Sequence, residues 1–398
     1  MATTNPIAEP SSLSPPPSRA LLVALSAMPP EQLETLLSQI AASLPIENIL
    51  IASPDPMPAS ASPALQIVTS GSINPSWILT ATDFANAYEL ALKHGCKAVV
   101  LLGSGSSSIR SSGLRDLAET VLSSQCDLAV PCYEIPPQAG LVNSSILYPL
   151  TRGLFATRVR FPLPVDLGLS FRMAERLALA ARRLIAQNQP DAPLWAVSEA
   201  TVAGMTVEEV DVGQRELPQP AALDLNAILP LVTGSLFADI EAKAAFWQRA
   251  RVTPSARKPI PLVSPSPADA TAEVASLLQK FQLAYSNLRE IWGLVLPPNS
   301  MLGLKRLAHC DAGAFRMSEQ LWARIVFDFL VAYRLRSINR GHLLGALIPL
   351  YLAWVAGHLN SIASGANAER HIEALASAFE ADKAYLVARW RWPDRFNP

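Results

Sequence analysis

No two of the four cysteines, Cys96, Cys126, Cys132 and Cys310, form a CxxC pair, and no histidine stands near them at zinc-ligand spacing. Neither a disulfide framework nor a structural zinc follows from this pattern, and the thiols read as reduced, small buried apolar groups. The five histidines, His94, His309, His342, His358 and His371, contain no i, i+4 pair, so a helical His-x-x-x-His metal motif is absent. Ser26, Ser70 and Ser104 lack a G-x-S-x-G context, which disfavours a serine hydrolase. Charge is scarce at 16%, and 32 basic against 33 acidic residues leave a formal charge of −1. No global field draws this chain to nucleic acid or to an anionic membrane. The first 19 residues are rich in Pro, Ser and Thr, without the basic and then apolar order of a secretory leader, and read as a disordered tail on a cytoplasmic protein. The apolar stretch Leu343 to Gly357 contains Pro349 and is short for a bilayer span. It is expected to be a buried helix, and no transmembrane segment is expected.

Half of the residues are hydrophobic, enough for a large core. Apolar runs of strand length, residues 20–25 (ALLVAL), 48–52 (NILIA), 65–68, 98–102 (AVVLL) and 127–131 (DLAVP), alternate with stretches of helical spacing at 30–43, 83–94 and 114–123. Gly95 is placed to end the second helix. Such alternation predicts a mostly parallel sheet with helices on both faces, whose ligands lie beyond the carboxyl ends of the strands. Further on, 143–155 reads as helical apart from Pro149, 159–168 as a loop dense in Pro and Arg, 171–187 as a helix, 207–212 as an edge strand and 225–247 as a helix. A Pro/Ser-rich stretch at 251–272 reads as a linker. Beyond it the pattern is helical throughout. The expected organisation is a tail at 1–19, an α/β domain at 20–250, the linker, and an all-helical module at 273–398.

The loop after AVVLL, Gly103-Ser104-Gly105-Ser106, is the first place to look for chemistry. It resembles the place where glycosyltransferases of the GT-A type carry Asp-x-Asp. The segment around it resembles one group of them more closely. The strand ending Pro131-Cys132-Tyr133, the helix start Gly140-Leu141-Val142-Asn143, the run Tyr148-Pro149-Leu150-Thr151-Arg152 and the loop Arg160 to Gly168 resemble the acceptor region of bacterial enzymes similar to glucosylglycerate and mannosylglycerate synthases. The helical stretches SEQLWARIVFDFLVAYRL and LIPLYLAW resemble the C-terminal extension of that group. The resemblance runs from about residue 95 to the end of the chain. It implies a GT-A-like, Rossmann-like nucleotide-sugar domain. It also implies that Gly140, Asn143, Tyr148, Arg152 and Arg160 contact a small acidic acceptor such as glycerate. Asp166 would be the catalytic carboxylate, and Ser104 and Gly105 would belong to the nucleotide-sugar loop.

The departures fall on the chemistry. Hard divalent cations such as Mg²⁺ or Mn²⁺, which the family uses, need anionic oxygen ligands, and here the triplet is Gly103-Ser104-Gly105. The family's Gly-Gly before the loop aspartate is Pro164-Val165, its acidic residue before Ile-Trp corresponds to Pro193-Leu194-Trp195, and its late histidine to Leu217. No metal ligands and no cofactor are therefore expected. Electrostatic stabilisation of a departing diphosphate is commonly the largest catalytic term. A glycosyltransferase-like pseudoenzyme, with metal-dependent transfer lost or altered, is the leading expectation. An active metal-independent enzyme needs a cation near Ser104, for which Arg110 is the close candidate in sequence. From another class comes a non-catalytic partner of an active glycosyltransferase. The expected partners are a nucleotide-sugar or small acidic acceptor, and a homo- or hetero-oligomer through the helical module, with no nucleic acid.

Overall fold

The computed structural model describes residues 20–56, 64–71, 77–123, 125–216, 225–251 and 270–393. The expected tail, most of the expected linker and Leu217 lie outside the described residues. In the first half, strands and helices alternate in the order β1 (Leu21–Leu25), α1 (Pro30–Ser43), β2 (Ile49–Ser53), β3 (Ile67–Thr69), α2 (Ala81–His94), β4 (Ala98–Leu102), α3 (Ser111–Leu122) and β5 (Leu128–Glu134). Three of these boundaries have a clear local cause. Pro30 opens α1 at a position whose N–H would be unpaired in any case. Thr80 and Asp83 form a capping box that starts α2 two residues before the expected Asp83. Gly95, at φ 67°, ends it.

After β5 the chain makes a wide π-type turn at Asn143–Leu147 that runs into α4 (Tyr148–Phe155). Pro149 stands in the first turn of α4, where its missing donor costs nothing. Next come β6 (Asp166–Ser170), α5 (Phe171–Ala186), α6 (Ala196–Ala203) and β7 (Val207–Gln214). Two of these, β6 and α6, were not anticipated: β6 starts inside the stretch expected to be loop. Its five residues carry a central Gly168 and too short an apolar alternation to stand out.

The seven strands form one sheet in the order β3-β2-β1-β4-β6-β5-β7. All pairings are parallel except those of β6, which runs antiparallel between β4 and β5 and sets Asp166 opposite Leu102. The α/β class and the edge position of β7 are as expected. Strands β1, β2 and β4 are buried at every residue, with successive side chains on opposite faces of the sheet. Leu21, Val23 and Leu25 face α1 and α3 on one side, and Leu22 and Ala24 face α2, α5 and α6 on the other.

The remaining helices are α7 (Leu225–Ala242), α8 (Ala244–Trp247), α9 (Ala270–Gly293), α10 (Pro298–Ala308), α11 (Glu319–Leu335), α12 (Arg340–Ala363), α13 (Ala368–Ala381) and α14 (Lys383–Arg391). They share one apolar core with α4, in which Trp247, Trp292, Trp322 and Trp354 are fully buried. Each indole of this size, cut back to alanine, would cost about 3–5 kcal/mol. Helix α12 continues through Pro349, and the Trp292 indole donates to the Ala346 carbonyl on the preceding turn. Helices α7 and α12 are long and apolar enough to cross a membrane. The apolar window of α12 is 72% buried within the fold, which makes it the central helix of this core, while that of α7 is 39% buried.

Candidate functional site

At the carboxyl end of β4 the chain turns through Gly103, Ser104 and Gly105, the last at φ 86°. Two neighbours close over this turn. The antiparallel approach of β6 brings the Val165 carbonyl so near Gly103 that an added Cβ would lie 2.6 Å from it, and 3.0 Å from the Trp77 carbonyl. At Gly105 an added Cβ would lie 2.5 Å from the Arg215 guanidinium. The positions where carboxylates would project are thus filled by a backbone oxygen and by a cation. The residues here do not fit the divalent ion that the resemblance implies, and among the described residues no three His, Cys, Asp or Glu side chains converge.

Arg215 and Asp166 form the centre of this arrangement. Both side chains are 0% exposed, with Arg215 Nε 2.9 Å from Asp166 Oδ2. Asp166 also accepts from the Gly103 N–H at 2.9 Å and from the Tyr133 hydroxyl at 2.8 Å. Arg215 Nη2 donates to the Ser104 carbonyl at 2.9 Å and Nη1 to that of Glu216 at 3.3 Å. Burial, reinforced by the Asp166 carboxylate, holds the Tyr133 phenol well above its ordinary value. The Asp166 carboxylate keeps Arg215 charged against the opposing cost of burial. One positive and one negative charge therefore cancel inside the loop, and no net charge is presented to a diphosphate. Arg110, the cation nearest in sequence, lies instead at the edge of the sheet, half-exposed and 3.0 Å from Asp211.

The acceptor-region residues are assembled on one surface, but α13 covers it. Arg152, buried, bonds Glu380 Oε1 at 2.7 Å and Glu373 Oε2 at 2.6 Å. The Tyr148 hydroxyl donates to Glu373 at 2.6 Å, and burial together with that carboxylate pushes the phenol up to about 12. Arg160 bonds Glu369 at 2.9 Å and the Ser144 hydroxyl at 2.9 Å. Asn143 donates to the Arg160 carbonyl, and Gly140 turns at φ 60° just before it. The groups that would hold an acidic ligand are held by the protein's own carboxylates.

The structure thus places Asp166, Ser104 and Gly105 together at the end of β4, and Tyr148, Arg152 and Arg160 together under α13. Gly140 and Asn143 line an adjoining apolar cavity. Sequence reasoning missed Arg215, Tyr133 and the three glutamates. The glutamates left a readable trace, since positions 369, 373 and 380 fall on one stripe of a helix. Arg215 left none, because its partner lies 49 residues away.

No family model matches the chain, and no curated protein matches it. Among solved structures it is similar to glucosyl-3-phosphoglycerate synthase from Mycobacterium tuberculosis in complex with Mn²⁺, uridine-diphosphate and phosphoglyceric acid. The TM-score is 0.40 at 18% identity, covering 55% of this chain and 78% of that one. The same enzyme in complex with Mn²⁺, uridine-diphosphate and glucosyl-3-phosphoglycerate matches at TM-score 0.39 and 12% identity over 62% of this chain and 88% of that one. A CMP:2-keto-3-deoxy-manno-octonic acid synthetase complexed with CTP matches at TM-score 0.32 and 13% identity, over 51% of this chain and 95% of that one. These likenesses concern the fold.

Proposed function

We infer that this protein is a glycosyltransferase-like pseudoenzyme: an α/β domain of nucleotide-sugar ancestry in which metal-assisted transfer to a small acidic acceptor has been lost. One observation carries the reading. The loop that would offer carboxylates to a metal is built from glycines, and the space beside them is filled by the Val165 carbonyl and by the buried Arg215–Asp166 pair. Asp166 serves as the counter-ion of Arg215 and the anchor of the Gly103 N–H, with both oxygens engaged. Neutralisation of Arg152 and Arg160 by α13 supports the same reading on the acceptor side. The four free cysteines fit a reducing, cytoplasmic setting.

The test is incubation of the purified full chain with Mn²⁺, labelled UDP- or GDP-sugars and glycerate or phosphoglycerate. No metal-dependent turnover is expected. Turnover that requires Mn²⁺ would overturn the reading. A second reading, a binding partner that acts through its helical module, is favoured by one feature: Leu283 within α9, Leu294 just past its end and Leu302 on α10 are exposed, Leu294 by 71%. Light scattering coupled to size exclusion, with wild type and Leu294→Glu, separates a self-associating module from a monomer.

A further inference from the structure

Three parts of the chain end together at one side of the helical core: α11 at Leu335, α14 at Arg391, and the stretch 248–251 that follows α8. Direct contacts join them. Arg334 Nη1 donates to the Trp390 carbonyl at 2.5 Å, and its guanidinium lies 4.3 Å from the centre of the Trp390 ring. That ring meets Trp247 edge-on at 5.2 Å, and Arg391 Nε donates to Gln248 Oε1 at 2.9 Å. Arg249, Arg251, Arg334, Arg336 and Arg391 are thereby gathered on one face, and among the described residues none of the five is paired with a carboxylate. The acids packed nearby have cations of their own: Glu241 is paired with Arg340, Asp328 with Arg389 and Asp382 with Arg324. The sequence that continues from this face, 252–269 and 394–398, sets Arg257, Lys258 and Arg395 against Asp269 and Asp394, so it brings no excess of negative charge. Beside the arginines stand two exposed apolar side chains, Trp392 at 64% and Leu335 at 43%. The helix dipole favours cations at a C-terminus, which accounts for Arg334 and Arg391. It accounts neither for the two apolar groups nor for Arg249 and Arg251, which follow the four-residue α8. Arg336, at φ 55°, holds the left-handed position that ends α11, where glycine is the unstrained residue.

We propose that this face docks the protein on an anionic lipid surface, the arginines meeting phosphate and carboxylate headgroups while Trp392 and Leu335 enter the interface between them. Each basic side chain held near such a surface strengthens binding about fivefold, and an indole settles at the level of the headgroups. The formal charge of −1 on the whole chain does not oppose this, because charges farther away than about 8–10 Å are screened at physiological ionic strength. A nucleic-acid backbone would meet the same arginines, but the aliphatic Leu335 offers its bases no stacking surface. The inference stands apart from the catalytic reading, since the face is available whether or not a sugar is transferred.

Flotation of the full-length protein with lipid vesicles tests it. Vesicles of equal parts phosphatidylserine and phosphatidylcholine are expected to carry the protein, and phosphatidylcholine alone to bind it about a hundredfold more weakly. High salt should release it from the mixed vesicles. Replacing three arginines together, Arg249→Gln, Arg336→Gly and Arg391→Gln, should weaken binding about a hundredfold, and Trp392→Ser about tenfold. The same change of charge made outside the cluster, Lys93→Gln with Lys97→Gln and Arg183→Gln, should leave binding as in the wild type. All seven positions are exposed, and an unchanged near-UV circular dichroism spectrum shows that each variant is folded. Failure to float with the mixed vesicles, equal binding to both kinds of vesicle, an equal loss in the control triple, or unaltered binding of the Trp392→Ser variant would each overturn the proposal. Binding of a single-stranded oligonucleotide in place of vesicles, lost in the arginine triple, would overturn it too and assign the face to nucleic acid. None of these measurements reads sugar transfer, so either inference can fail without the other.

Discussion

A guanidinium and a carboxylate that are both withdrawn from water stabilise each other only while the pair is intact. Each has lost its hydration, and the compensation comes from the partner and from the surrounding N–H, O–H and C=O groups. Arg215→Met is therefore expected to cost about 3–5 kcal/mol by stranding the Asp166 charge, read as a lower urea midpoint. Adding Asp166→Asn to it should recover part of the loss, because an amide keeps bonds to Gly103 and Tyr133 without a buried charge. A double-mutant cycle measures that coupling. Gly103→Asp should lower the melting temperature and fail to create a Mn²⁺ site by electron paramagnetic resonance, since its Cβ would meet the Val165 carbonyl at 2.6 Å. Part of this site was legible in the sequence. The glycines after AVVLL announce that no carboxylate projects there. What replaces it was not legible, because Arg215 reaches Ser104 only after β7 has returned alongside β5; proximity in sequence pointed to Arg110 instead.

Among the elements, α13 carries the most consequence for the candidate site. Its acidic stripe satisfies Arg152, Arg160 and Tyr148, and its histidine, His371, meets His358 of α12 with their Nδ1 atoms 2.8 Å apart. His358 is fully buried and stacked on Trp354 at 5.0 Å. Burial first, and the neighbouring His371 second, push His358 down to about 3, and burial lowers His371 as well. The sign follows directly: the unfolded chain takes up a proton near 6.5 that the native state refuses, so stability present above that pH is lost as pH falls towards 3. Between pH 7.5 and 4.5, urea unfolding should show a loss of about 2 kcal/mol from this pair, and His358→Phe should flatten it. Replacing Glu373 and Glu380 together by Gln should speed amide exchange across Ala368–Ala381, because Arg152 then lacks both carboxylate partners. Long periodic helices such as α11 and α12 were evident from apolar spacing. The short β6 and α6 were not, because a five-residue strand or an eight-residue helix offers too few repeats of its period.

Among the described residues the buried apolar side chains form three large clusters and a small one of Tyr148, Ile372 and Ala376, and the cluster of the C-terminal helices also takes in α4, α7 and α8. Ending the chain at residue 251 would bare Leu229, Val232, Leu236 and Phe237 of α7, all buried in that core. Such a fragment is expected to lose its near-UV circular dichroism and to aggregate, in contrast to the full chain. A Pro/Ser-rich stretch in sequence marks where the backbone is unpatterned; which helices pack together across it is set by contacts between distant residues, and composition does not carry that information. The passage of β6 over the β4 turn also bears on what selection could do with this protein. A backbone carbonyl, unlike a side chain, cannot be altered by exchanging one amino acid for another, so a mutagenic library screened for sugar transfer begins on a plateau. On the proposed reading, variants with a single changed codon should all be inactive: exchanging Arg215 can open the Gly105 position, but the Val165 carbonyl still closes that of Gly103.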